Sequence, residues 1–417
     1  MTLLLGTYEI DMTPRLPVQL AGFAHREGKA MEVHSPLFLK TFYFEQNGKT
    51  LLLFIGDVIW WDDQLVDTWR KRVADEYSVK RDSICFHATH NHSGPQTSEA
   101  FTSLLGVRDQ SFIESLEDII LKSVKCAITN KEPVTIVRRK TSSDIGVYRR
   151  LQYENKMAMS PNLSVPIDKE VTIITFENRK QDMKAMLIHH ACHPTTTDAN
   201  VVSSEYTGVC CARLKETYHH AVIGFLQGCC GDVRPALIKD HTFFRGSLQD
   251  MEAIGSQLAE DIISGMNISD VEVIHSDRLQ AYSSRVSLPF QKEYTVNDDM
   301  EPEVISIWKQ HIEKNWQDKN KTGLEIQYLE ISNKLRFIFF NGEMVQHYSQ
   351  YVKKIDSGVL ALGYSNGMIG YIPSQTQLME GGYEAEEFIY YFGLPAPFHI
   401  ETEKIIQNAI DNILEGE

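Results

Sequence analysis

Phe86-His-Ala-Thr-His-Asn-His-Ser-Gly-Pro95 brings His87, His90 and His92 into one short stretch. His90 and His92 are two apart, so in extended backbone their rings point to the same side. Ser93-Gly94-Pro95 then ends the strand, because proline lacks an N–H and glycine admits backbone angles closed to other residues. Imidazoles at a strand end bind metal or move protons, although buried histidines held by ordinary hydrogen bonds are common. A second strand end carries His189, His190 and His193 before Pro194, and a third carries Asn341-Gly-Glu343. Zinc accepts neutral imidazole and carboxylate and keeps one position open in catalytic sites, as with two histidines and one glutamate. His90, His193 and Glu343 would supply such a set from three separate strand ends. Fifteen histidines also allow many other combinations, and each residue has a simpler role available, such as Glu343 before an apolar helix.

Two further patches carry chemistry. In Gly228-Cys-Cys-Gly-Asp-Val-Arg-Pro235, the glycines let backbone approach a ligand closely, and Asp232 is suited to orienting a histidine or holding a turn. Arg234 is permanently charged and offers a planar donor fork for a carboxylate, a phosphate or a developing oxyanion, with a structural Asp–Arg pair as the alternative. Tyr371 and Tyr383 flank a glycine-containing loop; a phenol donates to a carbonyl oxygen, and a phenolate ligates metal. Arg149 and Arg150 open a polar, proline-containing stretch, Tyr148 to Lys169, expected to be an irregular loop of functional length. There is no Gly-x-Ser-x-Gly elbow, phosphate-cradling glycine loop or dinucleotide fingerprint.

The elements that must position these residues follow from periodicity. The apolar run Leu51 to Ile55 predicts a strand, Leu65, Val66, Trp69 and Val73 a helix, and Ile84 to Phe86 a returning strand. The same order recurs from Ala185 to His190, through a helix starting near Ser204, to Ala221 to Gln227. It recurs again from Leu335 to Phe340, through a helix with Tyr348 and Val352, to Val359 to Tyr364. Phe112 to Ala127 and Phe398 to Leu414 read as amphipathic helices. The alternation predicts an α/β protein of mixed β-sheets layered with helices, with ligands collecting at strand ends. Asp57, His90, His193, Asp232 and Glu343 are expected to converge there. A polar break near 290–303 is a weak candidate boundary within one 417-residue unit, and the likeness of Leu52 to Asp57 and Ile338 to Glu343 suggests two related halves.

The chain has 41 Lys+Arg, 56 Asp+Glu and a formal charge of −15, with no basic stripe, which argues against a nucleic-acid partner. No stretch reaches membrane-spanning length and the start lacks a basic, apolar leader, so a soluble cytoplasmic protein acting on a small molecule is expected. Seven cysteines, an odd number without paired zinc spacing, read as free and mostly buried thiols. Oligomeric state is left open.

Taken together, Ala88-Thr-His-Asn-His-Ser-Gly-Pro95, Cys192-His-Pro-Thr-Thr196 with Ser203-Ser-Glu-Tyr-Thr-Gly208, Gly231-Asp-Val-Arg-Pro235, Asn341-Gly-Glu343 and Asn366 to Ala385 resemble, in order, the neutral/alkaline non-lysosomal ceramidases. Asp11-Met-Thr-Pro14 and Gly22-Phe-Ala24 fit the start of that family's catalytic domain; a counterpart of its C-terminal immunoglobulin-like domain is not expected. The resemblance implies one zinc held by His90, His193, Glu343 and Tyr383, with His92 and Tyr371 as active-site groups and Arg149 or Arg150 near the substrate. It implies a zinc-dependent hydrolase of an N-acyl amide bond, with ester or lactone hydrolysis, true ceramidase activity and a silent binding protein as alternatives. One departure stands out. The family reads Gly-Asp-Val-Ser-Pro-Asn, with a serine that ceramide hydrolysis requires, where this chain has Gly231-Asp-Val-Arg-Pro-Ala236. A neutral hydroxyl is replaced by a cation, so a different and anionic substrate group is expected at Arg234, with Asp232 orienting its neighbours.

Overall fold

Three strand–helix–strand units set the architecture. The computed structural model describes residues 2–415 except 155, 269, 298 and 317–320. Lys49–Gly56 and Ile84–Ala88 pair in parallel across helix Asp63–Tyr77. Met183–His190 and Val222–Gln227 do so across helix Glu205–Thr217, and Leu335–Phe340 and Val359–Leu362 across helix Gln346–Ile355. Parallel neighbours need a crossover, and the helix supplies it. Helix Asp63–Tyr77 starts where Asp62 accepts hydrogen bonds from the Gln64 and Leu65 amides, and it buries Val66, Trp69 and Val73 at the spacing that places one face on a sheet.

The first two units lie at opposite edges of one nine-stranded mixed sheet. Its order runs Val222–Gln227, Met183–His190, Glu170–Asn178, Glu132–Ser142, Leu4–Asp11, Phe38–Gln46, Lys49–Gly56, Ile84–Ala88, with Glu272–Ile274 added on Glu132–Ser142. Side chains alternate between two cores. Leu52 and Phe54 join Val66 and Trp69 on the helix side, while Leu53 and Ile55 join Phe42, Leu187 and Leu226 on the other, as a period of two requires. The sheet curls until its edges face each other, and the Gln227 amide of one edge donates to His87 Nε2 of the other at 2.8 Å.

The third unit belongs to a four-stranded sheet, Gln280–Pro289, Lys321–Ser332, Leu335–Phe340, Val359–Leu362. Phe337, Phe339 and Leu360 from that sheet fill the inner core. Its last strand and the segment just after it close the gap between the curled edges, with bridges from Leu362 to Gly228 and from Ser365 to His87. The carboxyl ends of all three units therefore meet.

One expectation is overturned. Tyr148 to Lys169 is largely an ordered hairpin, Gly146–Tyr153 with Lys156–Asn162, extended by Val233–Pro235. The pairing shifts register between Tyr148 and Arg150, and Arg149 and Arg150 are both buried. The apolar alternation that betrays a strand is thus missing, because this strand buries cations and breaks its period at an irregularity.

Candidate metal centre and its cavity

His90 follows strand Ile84–Ala88 in a left-handed conformation, φ 64°, which costs a non-glycine residue and persists where the surroundings impose it. Its Nδ1 lies 2.9 Å from the Ile59 carbonyl, and its ring stacks on Tyr364 at 3.9 Å. His193 is held likewise, with Nδ1 2.9 Å from the Cys230 carbonyl. A carbonyl only accepts, so both Nδ1 atoms carry the proton and both Nε2 atoms present lone pairs. Those Nε2 atoms are 2.9 Å apart, and Glu343 Oε2 lies 3.2 Å from one and 3.4 Å from the other. That oxygen is buried with no hydrogen-bond partner. Three acceptors facing one another without a proton between them are a site for a cation. Ligands about 2.0–2.1 Å from one tetrahedral ion stand about 3.3 Å apart, the scale of this cluster.

His92 completes a trio of buried imidazoles whose nitrogens lie within 4.8 Å of one another and which can hold a metal ion. Its Nε2 is 3.2 Å from His90 Nε2. It differs from the other two in one respect: its Nδ1 is buried without a partner, whereas metal-bound histidines almost always donate their second N–H. Gly22 makes room for that ring, since at φ 94° a Cβ there would lie 2.4 Å from His92 Nδ1. Burial, then His90, holds the pKa values of His92 and His193 well below the ordinary histidine range, keeping both rings neutral.

The centre opens into a cavity of about 210 Å³ lined by His92, His193, Arg149, Tyr371, Tyr383 and Arg234, among others. The Arg149 guanidinium donates to the Tyr371 hydroxyl at 3.1 Å and to Glu384 at 2.7 Å, and that hydroxyl lies 3.5 Å from His193 Nε2. The Tyr383 ring stands 5.4 Å from that of Tyr371. Burial raises the pKa of both phenols, and the Glu343 carboxylate adds to it; a bound dication would act in the opposite sense.

The structure brings His90, His92, His193, Glu343, Tyr371, Tyr383, Arg149 and Arg234 to this one place. It does not bring Asp57, whose carboxylate is taken by the Phe38 amide at 3.0 Å and by buried Lys40. Among the described residues Asp232 hydrogen-bonds to no histidine. Its oxygens accept from the Gln346 amide at 2.8 Å and from Gln377 Nε2 at 2.9 Å, so it braces the turn, and burial lifts its pKa to about 6. Arg150 is occupied by Glu384, Glu380 and the Gly381 carbonyl and does not line the cavity. Sequence reading missed Glu384, which joins Arg149 to Arg150, and Tyr364 beneath His90. The acidic run Glu384, Glu386, Glu387 opposite two arginines was a signal for the first; nothing in the sequence marks the second. All seven cysteines are free, and all but Cys126 are buried. Among the described residues no helix is long and apolar enough to cross a membrane.

The family model for neutral/alkaline non-lysosomal ceramidase, N-terminal, matches residues 3–252. Among solved structures, the neutral ceramidase from Pseudomonas aeruginosa superposes with a TM-score of 0.77 at 15% identity, over 98% of this chain and 73% of the other. A ceramidase solved in complex with C2 gives a TM-score of 0.78 at 15% identity, over 100% and 76%. At that identity the structural likeness concerns the fold, a mixed α/β architecture, and leaves the reaction to be argued from the site.

Proposed function

Because the chain belongs to the neutral/alkaline non-lysosomal ceramidase family, whose members are hydrolases of an amide bond, we propose that it is a zinc-dependent amidohydrolase of a small N-acyl substrate. The observation that carries this reading is the convergence of two Nε2 lone pairs and the unpaired Glu343 oxygen within 2.9–3.4 Å. His90, His193, Glu343 and Tyr383 would hold the ion. Zinc in such a site lowers the pKa of its bound water from about 16 to about 7 and polarises a carbonyl, so no activated serine is needed.

The remaining work falls to the chain's own groups. His92, neutral and with one nitrogen unpartnered, takes a proton from the attacking water and returns it to the leaving nitrogen. Tyr371 accepts from Arg149, which leaves its own O–H to donate to the developing oxyanion. Glu384 fixes Arg149, and through it Tyr371, while Arg150 closes the other side of that carboxylate. Asp232 positions the turn carrying Arg234, whose cation meets an anionic group of the substrate. The free thiols fit a reducing, cytoplasmic setting. The test is elemental analysis of the purified chain combined with hydrolysis of N-acyl amides with and without chelator. One zinc per chain and chelator-sensitive cleavage are expected; turnover unaffected by complete removal of metal would overturn the assignment.

A further inference from the structure

Four arginines are buried among the described residues: Arg70, Arg149, Arg150 and Arg234. Three have a carboxylate: Arg70 meets Glu325 at 2.8 Å, and Arg149 and Arg150 share Glu384 at 2.7 and 2.6 Å. Arg234 has none among the described residues. It is 6% exposed, its Nε is buried without a hydrogen-bond partner, and its guanidinium lies over the Phe243 ring at 4.4 Å. A desolvated, unpaired cation is costly unless an anion joins it. Burial and the neighbouring Arg149 and Arg245 bring its pKa down to about 10, so it stays charged at neutral pH.

Arg245 faces the same cavity. It stands 3.6 Å from Asp198 and 5.0 Å above the Phe23 ring, which also packs against His92 at 5.0 Å, His25 at 5.4 Å and Arg26 at 4.8 Å. Arg234 is also one residue from the metal centre in backbone terms, since the His193 amide donates to the Val233 carbonyl at 3.1 Å. An anion held there lies only a few bonds from a carbonyl at the histidines. The rest of the lining includes Leu105, Met159 and Tyr391, which suit hydrocarbon. At about 210 Å³ the cavity falls below the roughly 300 Å³ at which drug-sized pockets begin.

We propose that Arg234 and Arg245 form a carboxylate subsite, and that the substrates are N-acyl amino acids with a short acyl chain, the free carboxylate sitting on the amine side of the scissile bond. This rests on the amide-hydrolysis reading above. Two planar donor forks match a carboxylate in shape and charge, and Arg245 is a specificity-determining residue at the mouth.

The experiment compares kcat/KM of the zinc-loaded full chain for N-hexanoylglycine, its neutral carboxamide N-hexanoylglycinamide, and N-butylsuccinamic acid, which carries the carboxylate on the acyl side. Calorimetric binding of the first two is measured on the same protein. N-Hexanoylglycine is expected to lead by about 100-fold, the scale of a buried charge pair losing one member. In Arg234→Gln, with metal content unchanged, the lead should collapse through KM, and Arg245→Gln should reduce it partially. Equal rates for acid and carboxamide overturn the subsite, and preference for N-butylsuccinamic acid overturns the amine-side placement. Cleavage of none of the three overturns the amide reading. In that case carboxylate-selective binding lost in Arg234→Gln still supports the subsite, and equal or undetectable binding removes it as well.

Discussion

Replacing His193 by alanine deletes one of the acceptors while leaving its backbone amide on Val233. The Cys230 carbonyl loses its 2.9 Å donor, worth about 1 kcal/mol. Disturbing the partner of a metal ligand already weakens metal affinity by about 10–100-fold, so removing the ligand itself costs at least the upper figure. With zinc at about 1,000 times its Kd, binding stabilises the folded chain by about 4.1 kcal/mol; a 100-fold weaker site leaves about 1.4 kcal/mol at the same zinc concentration. The assay is denaturant unfolding of wild type and His193→Ala, each with zinc and with chelator, alongside elemental analysis after dialysis. The wild type should lose about 4 kcal/mol on chelation and the variant about a third of that, with zinc content and turnover falling together. One zinc retained per variant chain, with an undiminished chelator effect, would refute the ligand assignment.

Tyr371→Phe removes the hydroxyl that Arg149 holds at 3.1 Å; kcat should fall by about 10²–10³ with zinc content intact, and an unchanged kcat would place the oxyanion elsewhere. Asp232, its pKa raised by burial to about 6 against an ordinary value of about 3.9, holds its proton more tightly folded than unfolded. Its favourable contribution is complete below about pH 4 and is lost as pH rises through 6. The unfolding free energy of Asp232→Asn relative to wild type should therefore climb by up to about 3 kcal/mol between pH 4 and 7 and then level off, whereas a difference flat in pH would count against a titrating Asp232. Glu384→Gln leaves the buried Arg149 without a carboxylate and Arg150 with Glu380 alone, which should cost about 3–5 kcal/mol in denaturant unfolding; a loss below 1 kcal/mol would show that water reaches the pair.

The three strand–helix–strand units were legible because each strand is an apolar run and each helix has a spaced apolar face, so burial is written directly into residue type. His90, His193 and Glu343 could be proposed from strand ends, but no spacing rule joins residues so far apart; the family resemblance, and then the curl of the sheet, brought them together. Arg149 and Arg150 were hidden in an apparent loop because their strand trades apolar alternation for a buried ionic cluster. Asp57 was expected at the centre from its place at a strand end. The sequence does not announce that Lys40, on the neighbouring strand, claims it first.

The proposed ligands come from both edges of the curled sheet, at His90 and His193, and from Glu343 just after Leu335–Phe340, where the Gly231 amide ties to the Met344 carbonyl at 2.9 Å. A polypeptide cut short of Glu343 therefore keeps the three histidines but lacks the Glu343 carboxylate that faces them. With the proposed ligand set, the cluster is complete only once the four-stranded sheet has docked against the curled one, so assembly of the site and closure of the fold are a single event.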